Sequence, residues 1–277
     1  MRKQRLGAIA AAAAAATLAL TSCGSSGGGG GGEGDTVRIG IKYDQPGLGF
    51  KEGDSYTGFD VDVAKFVAKE LGYDENKIEW VSAPSANRET LLETNQVDMI
   101  FATYTINDKR KERVGFAGPY FVAGQDLLVR ADDSSITGKD SLDGKKLCSV
   151  TGSTSAENVR KDVPGVELVE QSGYAECLGL LEGGNIDAIT TDDIILAGLA
   201  ATDANKGKFK VVGNPFSEEP YGVGLNKESD KCEAINTAIQ KMIDDGAWKE
   251  ALDKNTEGTG YEPNAKLNPP TNFEACS

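Results

Sequence analysis

Histidine is absent from all 277 residues, so an imidazole-based metal site has no ligand to start from, and no spacing among the cysteines resembles a zinc site. A nucleophile elbow of the G-x-S-x-G type is missing, as is any phosphate-binding loop; the glycine run Gly27 to Gly32 reads as linker. Neither a metal nor a cofactor is implied. Basic residues are few: 29 Lys and Arg stand against 43 Asp and Glu, a formal charge of −14. That sign argues against nucleic acid and against an anionic membrane surface as partners. The apolar run from Leu6 to Leu20, at fifteen residues, is short for a membrane span, which needs about 20.

What is present begins with that run. Arg2, Lys3 and Arg5 precede it, the order of a secretory signal. It ends in Leu20-Thr21-Ser22-Cys23, which resembles the lipobox of bacterial lipoproteins. The resemblance implies that residues 1–22 are a removed leader and that Cys23 becomes a lipidated first residue. Residues 23–34 then form a Gly/Ser tether. Without the three leader cations the formal charge moves from −14 to −17. Residues 35–277 are enough for one large domain or two ordinary ones. They hold four cysteines, Cys148, Cys177, Cys232 and Cys276, an even set in an exported chain, where disulfides persist. Proximity in the sequence favours Cys148 with Cys177 and Cys232 with Cys276, the second pinning the C-terminal tail.

Short apolar runs alternate with segments of helical period: VRIGIK, GFDVDVAKFVAKELG, KIEWV, NRETLLETN and VDMIFATYT, then KKLCSV, SAENVRKDV, VELVE, YAECLGLLEGG, IDAITT and DDIILAGLAA. This order predicts βαβ units and mostly parallel sheets flanked by helices. An internal echo accompanies it. Residues 91–100, LLETNQVDMI, align without gaps on residues 180–189, LLEGGNIDAI, at an offset of 89. Continued, the offset sets Thr103 opposite Asp192, each just past a strand's C-terminal end, where open α/β sheets bind ligands.

Seven segments, in order, resemble the amino-acid-binding proteins of ABC uptake systems, which have the type II periplasmic-binding-protein fold. They are TGFDVDVAKFVAKELG, NRETLLETNQVDMI, the T-x-T-x-x-x-x-R pattern from Thr103 to Arg110, VGFAGPY, VTGSTSAEN, LEGGNIDAITTD and YGVGLNK. YDQPGLGF, SANRETLL and LCSVTGST look most like the glutamate-binding lipoproteins of Gram-positive bacteria. The resemblance implies a two-lobed α/β fold with a two-strand hinge. Residues 35–124 and 220–277 would form lobe 1 and residues 125–219 lobe 2. The hinge candidates are Gly124-Gln125-Asp126 and Glu219-Pro220-Tyr221-Gly222.

The same resemblance implies a ligand site. An extended segment turns residues i and i+2 to one side, so Thr103 and Thr105 are expected to face the cleft together. Arg110 falls on the arginine that forks onto the ligand's α-carboxylate in the family, a role suited to a planar guanidinium. The loop Gly152-Ser153-Thr154-Ser155 opens a helix whose N–H groups can meet an anion. Ser153 and Thr154 are its candidate contacts, although Thr154-x-x-Glu157 equally reads as a capping box. Asp192 takes the acid position that pairs with the α-ammonium, with Asp193 the structural alternative. Arg88, in the first turn of a helix, matches an arginine that meets a side-chain carboxylate in relatives taking acidic amino acids. Lys42 assists it or is a surface lysine. Tyr43, Phe50 and Tyr221 pack on the ligand's aliphatic part or in the core.

The function implied is capture of L-glutamate, with aspartate and glutamine behind it, by a monomeric lipoprotein that is not an enzyme. It would be anchored at the outer face of the cell membrane and deliver to an ABC permease. A secreted enzyme on small carboxylic acids and a ligand-sensing receptor domain are the alternatives.

Overall fold

The computed structural model of the chain describes residues 36–276. The leader, Cys23 and the tether lie outside the described residues.

The chain opens with strand β1 (Val37–Ile41) and a small antiparallel sheet, β2 (Asp44–Gln45), β3 (Gly49–Glu52) and β4 (Ser55–Thr57). Helix α1 (Phe59–Glu70) follows. Its residues Phe59, Val63 and Val67, with Asp60, Ala64 and Ala68, are all buried, the i, i+4 stripe of a helix lying on a sheet. Asp60 and Asp62 in its first turn and Lys69 in its last suit the helix dipole. Next come β5 (Ile78–Ser82), α2 (Arg88–Glu93), β6 (Met99–Ile100), α3 (Asp108–Lys111) and β7 (Gly115–Ala123).

Gly124 alone separates β7 from β8 (Gln125–Arg130), which begins a second unit of the same plan. That unit runs through β9 (Lys146–Val150), α4 (Thr154–Asp162), β10 (Glu167–Gln171), α5 (Tyr174–Glu182), β11 (Ala188–Asp192), α6 (Asp193–Ala201) and β12 (Phe209–Val211). The chain then returns as β13 (Glu219–Leu225), followed by α7 (Cys232–Asp244) and α8 (Ala247–Thr256).

Two five-stranded sheets result, ordered β5-β1-β6-β13-β7 and β10-β9-β11-β8-β12. In each, four strands run the same way, and one, β13 in the first sheet and β8 in the second, runs antiparallel between its neighbours because it arrives from the other lobe. The two crossings touch. Phe216 N–H donates to Gln125 O at 2.9 Å, Gln125 N–H donates to Ser217 Oγ at 3.1 Å, and a Cβ on Gly124 would lie 2.7 Å from Pro215 Cβ.

The internal echo holds down to single hydrogen bonds. Asn95 and Gly184, 89 positions apart, are both left-handed, at φ 52° and 70°. Asn95 N–H donates to Leu92 O and Gly184 N–H to Leu181 O. Asp98 N–H meets Arg38 O while its carboxylate accepts from Arg38 N–H, and Asp187 repeats both bonds with Lys146. The correspondence fails where the sites diverge. The expected strand VDMIFATYT is confined to Met99–Ile100, because Thr103 takes a left-handed φ of 46° and turns the chain out of the sheet, whereas β11 continues to Asp192.

Two disulfides are formed, Cys148–Cys177 between β9 and α5 and Cys232–Cys276 between α7 and the tail. The irregular tail is strapped along β7: Asn268 bonds both the N–H and the C=O of Val122, and Glu274 N–H donates to Gly118 O. Among the described residues no helix is long and apolar enough to cross a membrane.

Candidate functional site

The crevice lies where the C-terminal ends of β1 and β6 face the starts of α4 and α6. Lys42, directly after β1, is only 2% exposed and so is no surface lysine. Its Nζ lies 3.5 Å from Asp44 Oδ1 and 6.0 Å from the Tyr174 ring centroid. Burial lowers its pKa, Asp44 opposes that, and Arg88 adds to it. Arg88, the first residue of α2, is buried and donates from Nη1 to Ala102 O at 2.9 Å.

Thr103 and Thr105 do not form the simple alternation of an extended segment. The left-handed Thr103 sends its hydroxyl to Ala102 O at 2.7 Å and Gln45 Oε1 at 3.3 Å, and its N–H donates to Asp60 Oδ2 at 3.0 Å. Thr105 pairs with Tyr221 as an isolated bridge, and its hydroxyl meets that of Thr154, from the other lobe, at 3.4 Å. Arg110 is buried as well. It donates from Nη1 to Thr105 O at 2.7 Å and from Nη2 across the crevice to Gly152 O at 3.3 Å. Burial, with Arg88 nearby, lowers its pKa to about 10.

Opposite, the cap expected of Thr154 lies one residue earlier, and no capping box forms. Ser153 is the N-cap and accepts from Ala156 N–H at 3.0 Å, so Thr154, the first helical residue, keeps its hydroxyl for Thr105. Glu157 pairs with Lys109 of the other lobe instead of closing the box. Asp192 precedes α6 without capping it. Its Oδ2 accepts from Tyr221 Oη at 2.6 Å, and burial, with Glu219 close by, pushes its pKa well above the carboxylate range. Asp193 is the structural acid of the pair: Oδ1 accepts from Gly124 N–H, Ile194 N–H and Tyr261 Oη.

Among the described residues, two buried side-chain polar atoms have no hydrogen-bond partner, Arg88 Nε and Asp192 Oδ1. A buried donor or acceptor left unmatched is costly, more so on a charged group. One is a cation's N–H and the other an anion's oxygen, and each belongs to a residue lining the same crevice. Glycines in the second lobe let the lobes approach closely: a Cβ on Gly152 would lie 2.8 Å from Ala86 Cα, one on Gly173 2.8 Å from Asp44 Oδ2, and one on Gly198 2.2 Å from Pro46 O. A cavity of about 230 Å3 along the seam is bounded by Lys42, Asp44 and Glu176. Another of about 180 Å3 is bounded by Glu89, Arg110 and Glu157. A larger cavity, about 570 Å3, lies behind the crossings, between α6, β12 and the tail, and includes none of the candidate ligand residues.

The profile of the bacterial extracellular solute-binding proteins, family 3, matches residues 37–257. The chain belongs to this family. It is 47% identical over 235 residues to the glutamate-binding protein GluB of Corynebacterium efficiens, covering 80% of this chain and 79% of that one. It is 37% identical over 225 residues to the ABC transporter glutamine-binding protein GlnH of Bacillus subtilis, covering 80% and 81%. Among solved structures, an ancestral arginine-binding protein bound to glutamine superposes with a TM-score of 0.74 at 33% identity, covering 80% of this chain and 98% of that one.

In this solute-binding protein the crevice also contains residues to which the sequence motifs assign no role. Asp60 carries Thr103 N–H on one oxygen and Tyr120 Oη, at 2.7 Å, on the other. The available signal was an acid in the buried stripe of α1. Asp44 accepts from Tyr174 N–H across the crevice at 3.2 Å, and Asn158 donates to Glu219 at 3.1 Å. No local pattern marks either contact. Tyr43, just before β2, and Phe50, on β3, are partly buried, and Tyr43 packs against Tyr56 at 5.5 Å.

Proposed function

We propose that the crevice binds an α-amino acid, L-glutamate in first place, and that closure of the lobes about the two crossings commits the ligand for delivery to an ABC permease. The observation that carries this reading is the pair of buried, unmatched, oppositely charged atoms, Arg88 Nε and Asp192 Oδ1. A zwitterion meets both, its ammonium at Asp192 and a carboxylate at Arg88, and ionises Asp192 in doing so. Arg110 and Lys42 supply the further positive charge that a second carboxylate calls for, with Thr103, Thr105, Ser153 and Thr154 as hydroxyl partners. Relatives named for glutamate and glutamine support an amino acid of this length.

In this reading Cys23 carries the acyl chains that keep the protein at the outer face of the membrane, and the tether lets it reach its permease. Calorimetry on refolded, ligand-stripped mature protein tests the binding half. Glutamate is expected to bind more tightly than aspartate, glutamine or arginine, and Arg110→Ala to abolish binding of all four. Arg88→Ala is expected to narrow the preference for glutamate over glutamine, since stranding a buried charge costs roughly 2–5 kcal/mol. An Arg88→Ala protein with an unchanged glutamate-to-glutamine ratio refutes the assignment of glutamate.

A further inference from the structure

Tyr104 sits between the two candidate threonines, yet its side chain is fully buried and its hydroxyl is already engaged, donating to Glu89 Oε1 at 2.8 Å. What its ring meets are the two guanidinium groups of the crevice. Arg88 Cζ lies 4.3 Å from the ring centroid and Arg110 Cζ 4.9 Å. Like charges this close repel, and the effect is visible on Arg110, whose pKa Arg88 helps to lower. An aromatic face attracts each cation through its quadrupole, so one ring can hold a pair that would otherwise separate.

The ring itself is held from three sides. Phe116 packs edge-on at 4.8 Å between centroids. The bare backbone of Gly224 lies against it, so close that a Cβ there would be 2.7 Å from Tyr104 Cε1. Glu89 fixes the hydroxyl, and the same Oε1 lies 3.5 Å from Arg110 Nε, so one carboxylate steadies both the ring and one of its cations.

We propose that the Tyr104 ring, packed against Phe116 and Gly224, makes Tyr104 a positioning residue for the arginine pair: by fixing the spacing of the two guanidinium groups it sets the separation of carboxylates that the crevice accepts, and so selects a five-carbon over a four-carbon dicarboxylic amino acid. The proposal rests on the amino-acid reading above. Tyr104→Phe keeps the platform, Glu89→Gln keeps the acceptor, and Tyr104→Leu removes the ring. Gly224→Ala displaces the ring without replacing any of the named side chains, and it stands in if Tyr104→Leu does not fold.

The experiment is calorimetry of these variants against glutamate and aspartate, paired with NMR of the arginine Nε–H resonances in the ligand-free protein. The glutamate-to-aspartate affinity ratio is expected to stay within about threefold of wild type in Tyr104→Phe and Glu89→Gln. In Tyr104→Leu or Gly224→Ala it is expected to fall at least tenfold. The Arg88 and Arg110 Nε–H resonances, shifted upfield by the ring in wild type and Tyr104→Phe, should lose that shift in Tyr104→Leu. An unchanged ratio in both ring-disturbing variants overturns the proposal, as does a Tyr104→Phe protein that loses as much as Tyr104→Leu. If wild type binds no amino acid, the functional reading fails by itself. The NMR comparison then decides the positioning role alone: resonances that do not move in Tyr104→Leu overturn it.

Discussion

Single side chains set the electrostatics of this crevice, and Asp60 is the one whose effect is separable from ligand. It is fully buried, and that burial pushes its pKa up to about 6 despite the hydrogen bonds from Tyr120 and Thr103 and the nearby Arg88. A carboxyl raised in the folded state and ordinary in the unfolded one penalises folding at high pH. The penalty fades as pH falls through about 6 toward the ordinary carboxylate range. Melting of the ligand-free protein should therefore show a stabilising contribution from Asp60 between pH 7 and pH 5, on the order of 1 kcal/mol. Asp60→Asn, which can keep both partners, should remove that share of the pH dependence. Asp193, raised to about 6 mainly by burial, contributes with the same sign and should remain in the variant. Equal pH slopes for wild type and Asp60→Asn would count against an ionisable Asp60.

At the scale of elements, α6 approaches the first lobe closely at Gly198. Gly198 is helical and has no positive φ, so alanine there is favoured by the helix, by about 1 kcal/mol. Its methyl group, however, would sit 2.2 Å from Pro46 O. Gly198→Ala is expected to hold or raise the melting temperature of the ligand-free protein while weakening ligand at least tenfold. Small-angle scattering should then show no ligand-dependent decrease in radius of gyration. A variant that binds and compacts like wild type would mean that the lobes do not need this contact. Gly198 also marks a boundary of what the sequence makes legible. The alternation of strands and helices, the family and the 89-residue echo are written in local patterns, since each depends on neighbours within a few turns. The rest depends on distant backbone: that β6 stops at Ile100 follows from the turn at Thr103, whose N–H is held by Asp60 forty-three positions away. The ring shared by Arg88 and Arg110 arises from packing within the first lobe, and the bond from Tyr221 to Asp192 only once the lobes meet.

Across the whole molecule, the C-terminal tail acts as a strap over the first lobe and reaches the second through Tyr261 and Asp193. Its far end is fixed by Cys232–Cys276, a bridge with a sequence separation of 44. Replacing both cysteines by serine is expected to lower unfolding free energy by about 2–4 kcal/mol in denaturant titrations. It should also speed hydrogen exchange at the Val122 amide, which Asn268 covers. Unchanged stability and exchange would show that hydrogen bonds alone hold the strap. Cys148–Cys177 joins β9 to α5 inside the second lobe, so among the described residues each covalent staple stays within one half of the molecule and none bridges the gap. An oxidising exterior would therefore toughen each jaw against heat and proteases without soldering the jaws together, and on the proposed closure mechanism the crossings at Gly124 and Ser217 would stay free to bend through each round of loading and release.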